Sequence, residues 1–260
     1  MRRPPLIGPA QGGTRPAPNT TAMLLNLRIA IGFAVSAGAA TLAYRFNVLT
    51  SSGALATTAV GTVLFVGGGW RWLILVGLFS ATSSVLTRWE PAGGGAEHRS
   101  PDIGGRRWDQ VLANGGIATL AAAAHGLGGW PPAFGAASGA IAAAAADTWA
   151  TEIGRWSRTA PRLITTWRVV PHGVSGGITI VGTAGAAAGA LLIGAAATVL
   201  AGGSSWRPGF LAILVAGFSG AMVDSMIGAT IEGRYRWVNN SMVNLLATAW
   251  GAGVALALSR

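Results

Sequence analysis

The chain has no cysteine, and all eighteen of its basic residues are arginines, so lysine is missing as well. The missing cysteine excludes disulfides, thiolate catalysis and metal sites built from thiolates. The missing lysine removes both the usual P-loop cation and the Schiff-base nucleophile. Any phosphate chemistry must therefore use guanidinium groups, backbone amides or a metal ion.

Charge is also scarce. Only 10% of the 260 residues are charged and 51% are hydrophobic, and the mean hydropathy is +0.51. A soluble domain carries about 25% charged residues, so this composition cannot provide a hydrated surface. Long apolar runs instead predict an all-α, polytopic membrane protein. The net charge of +10 does not indicate a nucleic-acid partner, because the arginines lie in short loops between apolar runs.

The apolar runs define the organisation of the chain. Residues 1–22 are rich in proline and predict a flexible tail, and residues 23–260 predict a single transmembrane domain. We expect about seven to eight transmembrane helices, at approximately 23–43, 49–67, 70–87, 109–128, 131–147, 175–200, 208–228 and 240–258. Glycine and alanine dominate many of these segments, which predicts close helix packing within the bilayer.

The arginines predict an orientation in an integral protein of the cytoplasmic membrane. With eight spans, the loops after the first, third, fifth and seventh carry eleven arginines, and the opposite side carries six. The positive-inside rule then places the loops near Arg99, Arg162 and Arg234 in the cytoplasm. All eight acidic residues fall on that same side. We therefore expect a functional site at the cytoplasmic face.

Two pairs of carboxylates are candidate metal ligands. Asp147 and Glu152 lie at the end of the fifth span, on one polar arc of a helix. Asp224, within the last turns of the seventh span, and Glu232, just after it, repeat this pattern with Gly228 between them. Ionisable residues at a span end indicate function, and facing carboxylates suit Mg²⁺. The alternative for the first pair is a structural ion pair with Arg155 or Arg158.

Phosphate-binding elements surround these carboxylates. A helix at the start of the fourth span would place four polar residues on one face, namely Arg106, Arg107, Gln110 and Asn114. Topology alone would explain the arginines, but it would not explain Gln110 and Asn114.

Two further segments could also bind phosphate or nucleotide. Arg162 and Thr165 occur in a loop before a glycine-rich turn at the predicted start of the sixth span, which contains Gly173, Ser175, Gly176 and Gly177. Free amides at a helix start favour phosphate, although the turn is also compatible with a plain helix cap. In the last span, Asn240 and Asn244 belong to a polar stripe that either binds a nucleobase or ribose or joins helices.

Several strings occur together in a family-specific order: GGRRWDQVLANGG, ADTWATEIGRWSRTAPRLITT, VPHGVSGGIT and GAMVDSMIGATIEG followed by NNSMVNLLAT. From about Leu49 to the C-terminus the chain resembles the domain of unknown function 92 family, an integral-membrane group that includes phytyl-phosphate kinase and transmembrane protein 19. His172, Val174 and Glu232 depart from the pattern of that family.

The resemblance implies transfer of a phosphoryl group from a nucleoside triphosphate, CTP or ATP, to an isoprenyl monophosphate in the bilayer. The expected catalytic residues are Asp147, Glu152, Asp224, Arg106 and Arg162. The three carboxylates would hold Mg²⁺. Arg106, Arg107 and Arg162 would bind phosphates. The alternatives are a CTP-dependent cytidylyltransferase acting on a lipid phosphate and a lipid-phosphate carrier without chemistry. A homo-oligomer is compatible with all three of these functions.

Overall fold

The computed structural model describes residues 20–89, 104–202 and 209–258. In these ranges the chain forms eight α-helices and one two-stranded hairpin. The helices are α1 (Thr20–Arg45), α2 (Ser51–Gly68), α3 (Trp70–Arg88), α4 (Trp108–Gly128), α5 (Ala133–Gly154), α6 (Ile180–Ala201), α7 (Phe210–Thr230) and α8 (Asn240–Leu258). The predicted all-α membrane fold is confirmed. Most of the predicted tail, and the loop containing Arg99, lie outside the described residues.

Helix α5 is the centre of the bundle, with α3, α4, α6, α7 and α8 packed around it. Nearly every side chain of its alanine-rich part, from Gly135 to Ala146, is buried. The other seven helices of the described chain are long and apolar enough to cross a membrane. Helix α5 is not among these seven helices. It packs against five other helices, and its small side chains let those helices approach closely. Its 22 residues would span about 33 Å.

Glycines bring the helices around α5 into close contact. A Cβ atom at Gly217 of α7 would lie 2.8 Å from the Cβ atoms of both Ala142 and Ala190. A Cβ atom at Gly189 of α6 would lie 2.8 Å from the carbonyl oxygen of Ala145. The glycines therefore let α6 and α7 approach α5 at backbone distance, as expected for helices packed in lipid.

Between α5 and α6 the chain forms a hairpin of strands β1 (Arg162–Leu163) and β2 (Gly177–Ile178). The strands are antiparallel, with Arg162 opposite Ile178 and Leu163 opposite Gly177. The sixth helix therefore starts at Ile180, five residues later than the predicted span. Thr179 caps α6 by accepting a hydrogen bond from the Gly182 amide at 2.9 Å.

Candidate functional site

The loops that follow α1 and α3 meet at one end of the bundle. The Arg106 amide donates to the Val48 carbonyl at 2.9 Å, and the Thr50 amide donates to the Arg106 carbonyl at 3.1 Å. At the same end, the Ser241 hydroxyl of α8 donates to Asp109 of α4 at 2.9 Å. These bonds place the segments before α2, α4 and α8 next to one another.

The loops that follow α5 and α7 join the same end. The Thr87 hydroxyl at the end of α3 donates to Glu152 Oε1 near the end of α5 at 2.8 Å. The glycine-rich turn after α5 packs on the end of α7, where a Cβ atom at Gly176 would lie 2.6 Å from the Ser225 carbonyl oxygen. The described parts of the four loops that the sequence assigned to one side of the membrane therefore lie at one end of the bundle, as the eight-span arrangement requires.

The main carboxyl pair of the site is formed by Asp147 of α5 and Asp224 of α7. The charges of Asp147 and Glu232 both act on Asp224. One oxygen of Asp224, Oδ2, is buried without a hydrogen-bond partner among the described residues. A cation bound at this pair would offset the repulsion between the two carboxylates.

The donor set fits Mg²⁺ only in combination with a substrate. Among the described residues, no three histidine or acidic side chains are grouped so as to hold a metal ion by themselves. Magnesium usually binds through one or two carboxylates plus substrate phosphates, and it keeps several waters. Asp147 and Asp224, with the buried Oδ2 atom, match this requirement.

Glu152 has other contacts. It is only 2% exposed and is bonded to Thr87 and to the guanidinium of Arg155. The structural ion pair considered from the sequence is therefore present at Glu152. Glu152 joins α3 to the end of α5, and its role as a metal ligand stays a prediction.

Arg106, Gln110 and Asn114 line a cavity of about 460 Å³ between α1, α2, α3 and α4. We call it the α1–α3 cavity, because most of its apolar wall comes from those two helices and from Phe46 directly after α1: Val35, Ala39, Leu42 and Ala43 of α1, and Leu73, Val76, Gly77, Phe79 and Ala81 of α3. The Arg106 side chain is 8% exposed. The polar stripe predicted from the sequence thus borders an apolar space.

Arg107 is not part of this stripe, and the prediction that one helical face carries all four residues is wrong. Helix α4 begins at Trp108, and Arg107 is its extended N-cap residue. The Arg107 side chain is 67% exposed, and its guanidinium pairs with Asp109 at 3.0 Å. This hydrogen-bonded pair raises the pKa of Arg107 above its usual value. Arg106 reaches the cavity from the loop, because its backbone is bonded to the segment between α1 and α2.

The hairpin holds Arg162 and Thr165 at the surface. The Arg162 Nη1 atom donates to the Trp167 carbonyl at 2.9 Å, across a turn in which Trp167 has a φ of 58°. Thr165 is exposed in the same turn. Arg162 thus stabilises the turn with one of its five N–H donors, and the others remain for a ligand.

The glycine-rich turn is placed differently from the prediction. It does not start α6, because β2 and the Thr179 cap separate the two. Gly173 and Gly176 have φ angles of 85° and 76°, which only glycine adopts without strain. A Cβ atom at Gly228 of α7 would lie 3.1 Å from the Gly176 amide nitrogen and 3.4 Å from Glu232 Oε2. The turn, including Ser175 and Gly177, therefore packs beside the acidic end of α7.

The polar stripe of α8 serves partly to join helices. The Thr248 hydroxyl donates to the Ala113 carbonyl of α4 at 3.1 Å. Asn244 is 9% exposed, and its Oδ1 atom is buried without a hydrogen-bond partner. Asn240 is exposed at the first position of α8. Thr248 supports the helix-joining alternative, and Asn244 keeps an acceptor for a ligand or a water molecule.

Comparison with known proteins agrees with this architecture. The sequence model of the family described as integral membrane protein DUF92 matches residues 34–252. The chain belongs to the DUF92 family of integral membrane proteins. The match begins earlier than the resemblance seen in the motifs, and it includes the C-terminal part of α1, residues 34–45. No solved structure matches the chain.

Relatives of this DUF92 protein occur in archaea, plants and cyanobacteria. It is 33% identical to an uncharacterized membrane protein of Methanocaldococcus jannaschii, over 86% of this chain and 92% of the relative. It is 31% identical to the protein PGR of Arabidopsis thaliana, over 79% of each chain. An uncharacterized membrane protein of Synechocystis is 31% identical over 76% of this chain and 78% of the relative.

Two features of the site were not predicted from the sequence, the Thr87–Glu152 contact and the α1–α3 cavity. Thr87 is one hydroxyl in a helix with many, so nothing in the sequence marked it as a partner of Glu152. The α1–α3 cavity depends on how four helices are spaced, which apolar periodicity does not report. Glu232 was recognised as a carboxylate near Asp224, and the structure adds that its charge acts on that residue.

Proposed function

We propose that this protein is a membrane-embedded kinase that transfers a phosphoryl group from a nucleoside triphosphate to an isoprenyl monophosphate, giving the diphosphate. One observation carries the proposal: the Asp147–Asp224 carboxyl pair, beside a glycine-rich turn, lies at the same end of the bundle as Arg106 at the α1–α3 cavity. A substrate with a hydrocarbon tail and a phosphate head needs this combination of apolar space and polar end.

In the proposed reaction an oxygen of the acceptor phosphate attacks the γ-phosphorus of the nucleotide. A phosphoric anhydride bond forms, and the bond from the γ-phosphorus to the β-phosphate oxygen breaks, so that the nucleoside diphosphate leaves. The acceptor is already ionised, which means that no strong general base is needed. Positioning and charge neutralisation supply most of the catalysis in such transfers.

Each part of the site has a proposed task. Asp147 and Asp224 would hold Mg²⁺, and bound Mg²⁺ supplies neutralisation of phosphate charge. Arg106 would hold the acceptor phosphate near the cavity. Gly173, Ser175, Gly176 and Gly177, with Arg162 at the base of their hairpin, would hold the nucleotide phosphates through backbone amides and a guanidinium group.

The activity can be measured with purified protein, Mg²⁺ and geranylgeranyl monophosphate. With γ-labelled CTP or ATP, we expect the label in geranylgeranyl diphosphate and an unlabelled nucleoside diphosphate as coproduct. Release of the label as pyrophosphate, with transfer of an unlabelled cytidylyl group to the lipid phosphate, would instead identify a cytidylyltransferase. If neither CTP nor ATP is consumed, both the kinase and the cytidylyltransferase hypotheses are contradicted.

We also propose that the carboxyl pair faces the cytoplasm, because the loops at that end carry the excess of arginines. The chain has no cysteine, so a single cysteine can be introduced at Arg162 or at Arg234 without background labelling. An impermeant maleimide should label both variants in lysed cells and neither in intact cells. Labelling of either position in intact cells would contradict the orientation.

A further inference from the structure

We propose that the α1–α3 cavity binds the single hydrocarbon chain of an isoprenyl monophosphate, which enters sideways from the bilayer between α1 and α3. This inference rests on the proposed function and assigns the lipid part of its substrate to a defined place. The place is distinct from the Asp147–Asp224 pair, which lies between α5 and α7.

The distribution of polarity in the cavity fits a lipid with one anionic end. Most of its wall is apolar, with single hydroxyl groups from Ser36, Thr57, Ser80 and Ser84, and its charged and amide side chains, those of Arg106, Gln110 and Asn114, come from the α4 side. A small neighbouring pocket is lined by Arg106 together with Arg88, whose guanidinium donates to the Phe46 carbonyl. No carboxylate of the described residues lines either space. A guanidinium group at one end of an apolar space, with a second in the neighbouring pocket, complements a phosphate attached to a hydrocarbon chain.

The position of the cavity favours a ligand that arrives through the membrane. Helix α1 packs chiefly against α2 and lies at the edge of the bundle. Three cavity-lining residues, Val35 and Leu42 of α1 and Phe46 directly after it, are 52%, 59% and 61% exposed. The same side chains therefore border both the cavity and the outer surface of the bundle. A lipid could enter here without moving its chain through water, which would cost the free energy of exposing apolar surface.

The size of the cavity favours one chain. Its volume of about 460 Å³ lies in the range of sites for single small ligands, about 300–1,000 Å³. A diacyl lipid phosphate has the same headgroup chemistry but two long chains to accommodate. We therefore commit to the isoprenyl monophosphate and use phosphatidic acid as the comparison.

Gly77 allows the cavity to be filled without disturbing the rest of the bundle. It lines the cavity from α3, and a Cβ atom added there would meet no atom within 4 Å. The Gly77→Phe substitution should place an aromatic ring where the hydrocarbon chain would lie. Gly253 of α8 provides a matched control, because it is exposed, also meets nothing within 4 Å and does not line the cavity.

The test is equilibrium binding of radiolabelled geranylgeranyl monophosphate to the full-length protein in lipid nanodiscs, without nucleotide. Gly77→Phe should raise the Kd by about tenfold or more, and Gly253→Phe should leave it unchanged. An equal Kd for wild type and Gly77→Phe would overturn the proposal. Equal competition by unlabelled phosphatidic acid would overturn the assignment to a single chain.

A measurement on the wild-type protein does not depend on any variant folding. A geranylgeranyl monophosphate analogue with a diazirine at its hydrocarbon end should crosslink to peptides of α1 or α3. Crosslinks confined to α5, α6 and α7 would reject the cavity as the chain site.

The kinase proposal and the cavity proposal can fail separately. If Gly77→Phe weakens binding but the wild-type protein transfers no phosphoryl group, the kinase proposal is rejected and the cavity proposal is retained. Phosphoryl transfer to a twenty-carbon acceptor with an unchanged KM in Gly77→Phe would retain the kinase and reject the cavity.

Discussion

The contact between α5 and α7 and the space between α1 and α3 are packed in opposite ways. A Cβ atom at Gly217, between α7 and α5, would lie 2.8 Å from two alanine Cβ atoms, whereas one at Gly77 of α3 would meet nothing within 4 Å. Close packing fixes the backbone on which Asp147 and Asp224 are held. Open packing leaves room for a ligand. The comparison suggests that the compact half performs the chemistry and the open half accommodates the lipid.

The largest effect should come from the carboxyl pair in the compact half. Replacing Asp224 or Asp147 by Asn keeps the size and a hydrogen-bonding group but removes the negative charge that would hold Mg²⁺ against phosphates. We expect kcat to fall by about 10²–10³-fold or more, as when a preorganised electrostatic group is removed from an active site. The measurement is the initial rate of diphosphate formation at saturating substrates.

Asp109→Asn is the matched control for this prediction. Asp109 is at the same end of the bundle, where it pairs with the exposed Arg107 and accepts a hydrogen bond from Ser241. Its replacement should leave most of the activity. A similar loss of kcat in Asp147→Asn, Asp224→Asn and Asp109→Asn would show that any negative charge at this end of the bundle supports activity. The Asp147–Asp224 pair would then have no special role.

A smaller effect should come from Arg106, at the border of the open half. Arg106→Lys keeps the positive charge but loses the planar fork that can bind two phosphate oxygens. We expect the KM for prenyl phosphate to rise about 10- to 100-fold, since a hydrogen bond to a charged group contributes about 1.5–3 kcal/mol. The KM for nucleotide should stay constant.

Arg107→Lys serves as the control for Arg106, because Arg107 is the neighbouring residue and its side chain is 67% exposed. Its kinetics should match those of the wild type. If Arg106→Lys also had the wild-type KM for prenyl phosphate, Arg106 would contribute only to membrane topology or, through its backbone bonds to Val48 and Thr50, to loop structure.

The smallest effect on activity, and a clear effect on stability, should come from the glycines of the compact half. Gly217→Ala forces a methyl group against Ala142 and Ala190, and overpacking of this kind costs about 1–3 kcal/mol. Thermal unfolding in detergent should show a lower Tm for Gly217→Ala. Gly253→Ala, which meets no neighbour, should keep the Tm or raise it slightly because alanine favours helix. Equal Tm values for both variants would contradict the difference in packing.

Much of the compact half could be predicted from the sequence. Apolar runs predicted the helices, and the polar arc after Ala146 predicted the helical face that carries Asp147. The predicted end of the fifth span at 147 is wrong, because α5 continues to Gly154. The shared side of four loops predicted that Asp147 and Asp224 would meet. These features depend on local periodicity and on the alternation of spans across a membrane, which a sequence records directly.

The open half and the hairpin could not be predicted in the same way. The α1–α3 cavity results from the spacing of four helices, and no residue pattern encodes a gap between them. The two-residue strands of the hairpin are too short to show a period, so the glycine-rich turn was assigned to the start of α6 instead of the side of α7. Arg107 was assigned to a helix that begins one residue after it.

The division of tasks can be tested most directly by comparing Asp224→Asn with Gly77→Phe in one pair of assays. For each variant, the measurement is the Kd for geranylgeranyl monophosphate without nucleotide and the kcat for diphosphate formation with a short-chain prenyl phosphate at saturating concentration. Our account predicts that Asp224→Asn loses kcat but keeps the wild-type Kd, and that Gly77→Phe loses affinity but keeps the wild-type kcat. Loss of both quantities in both correctly folded variants would contradict the separation of a compact catalytic half from an open lipid-binding half.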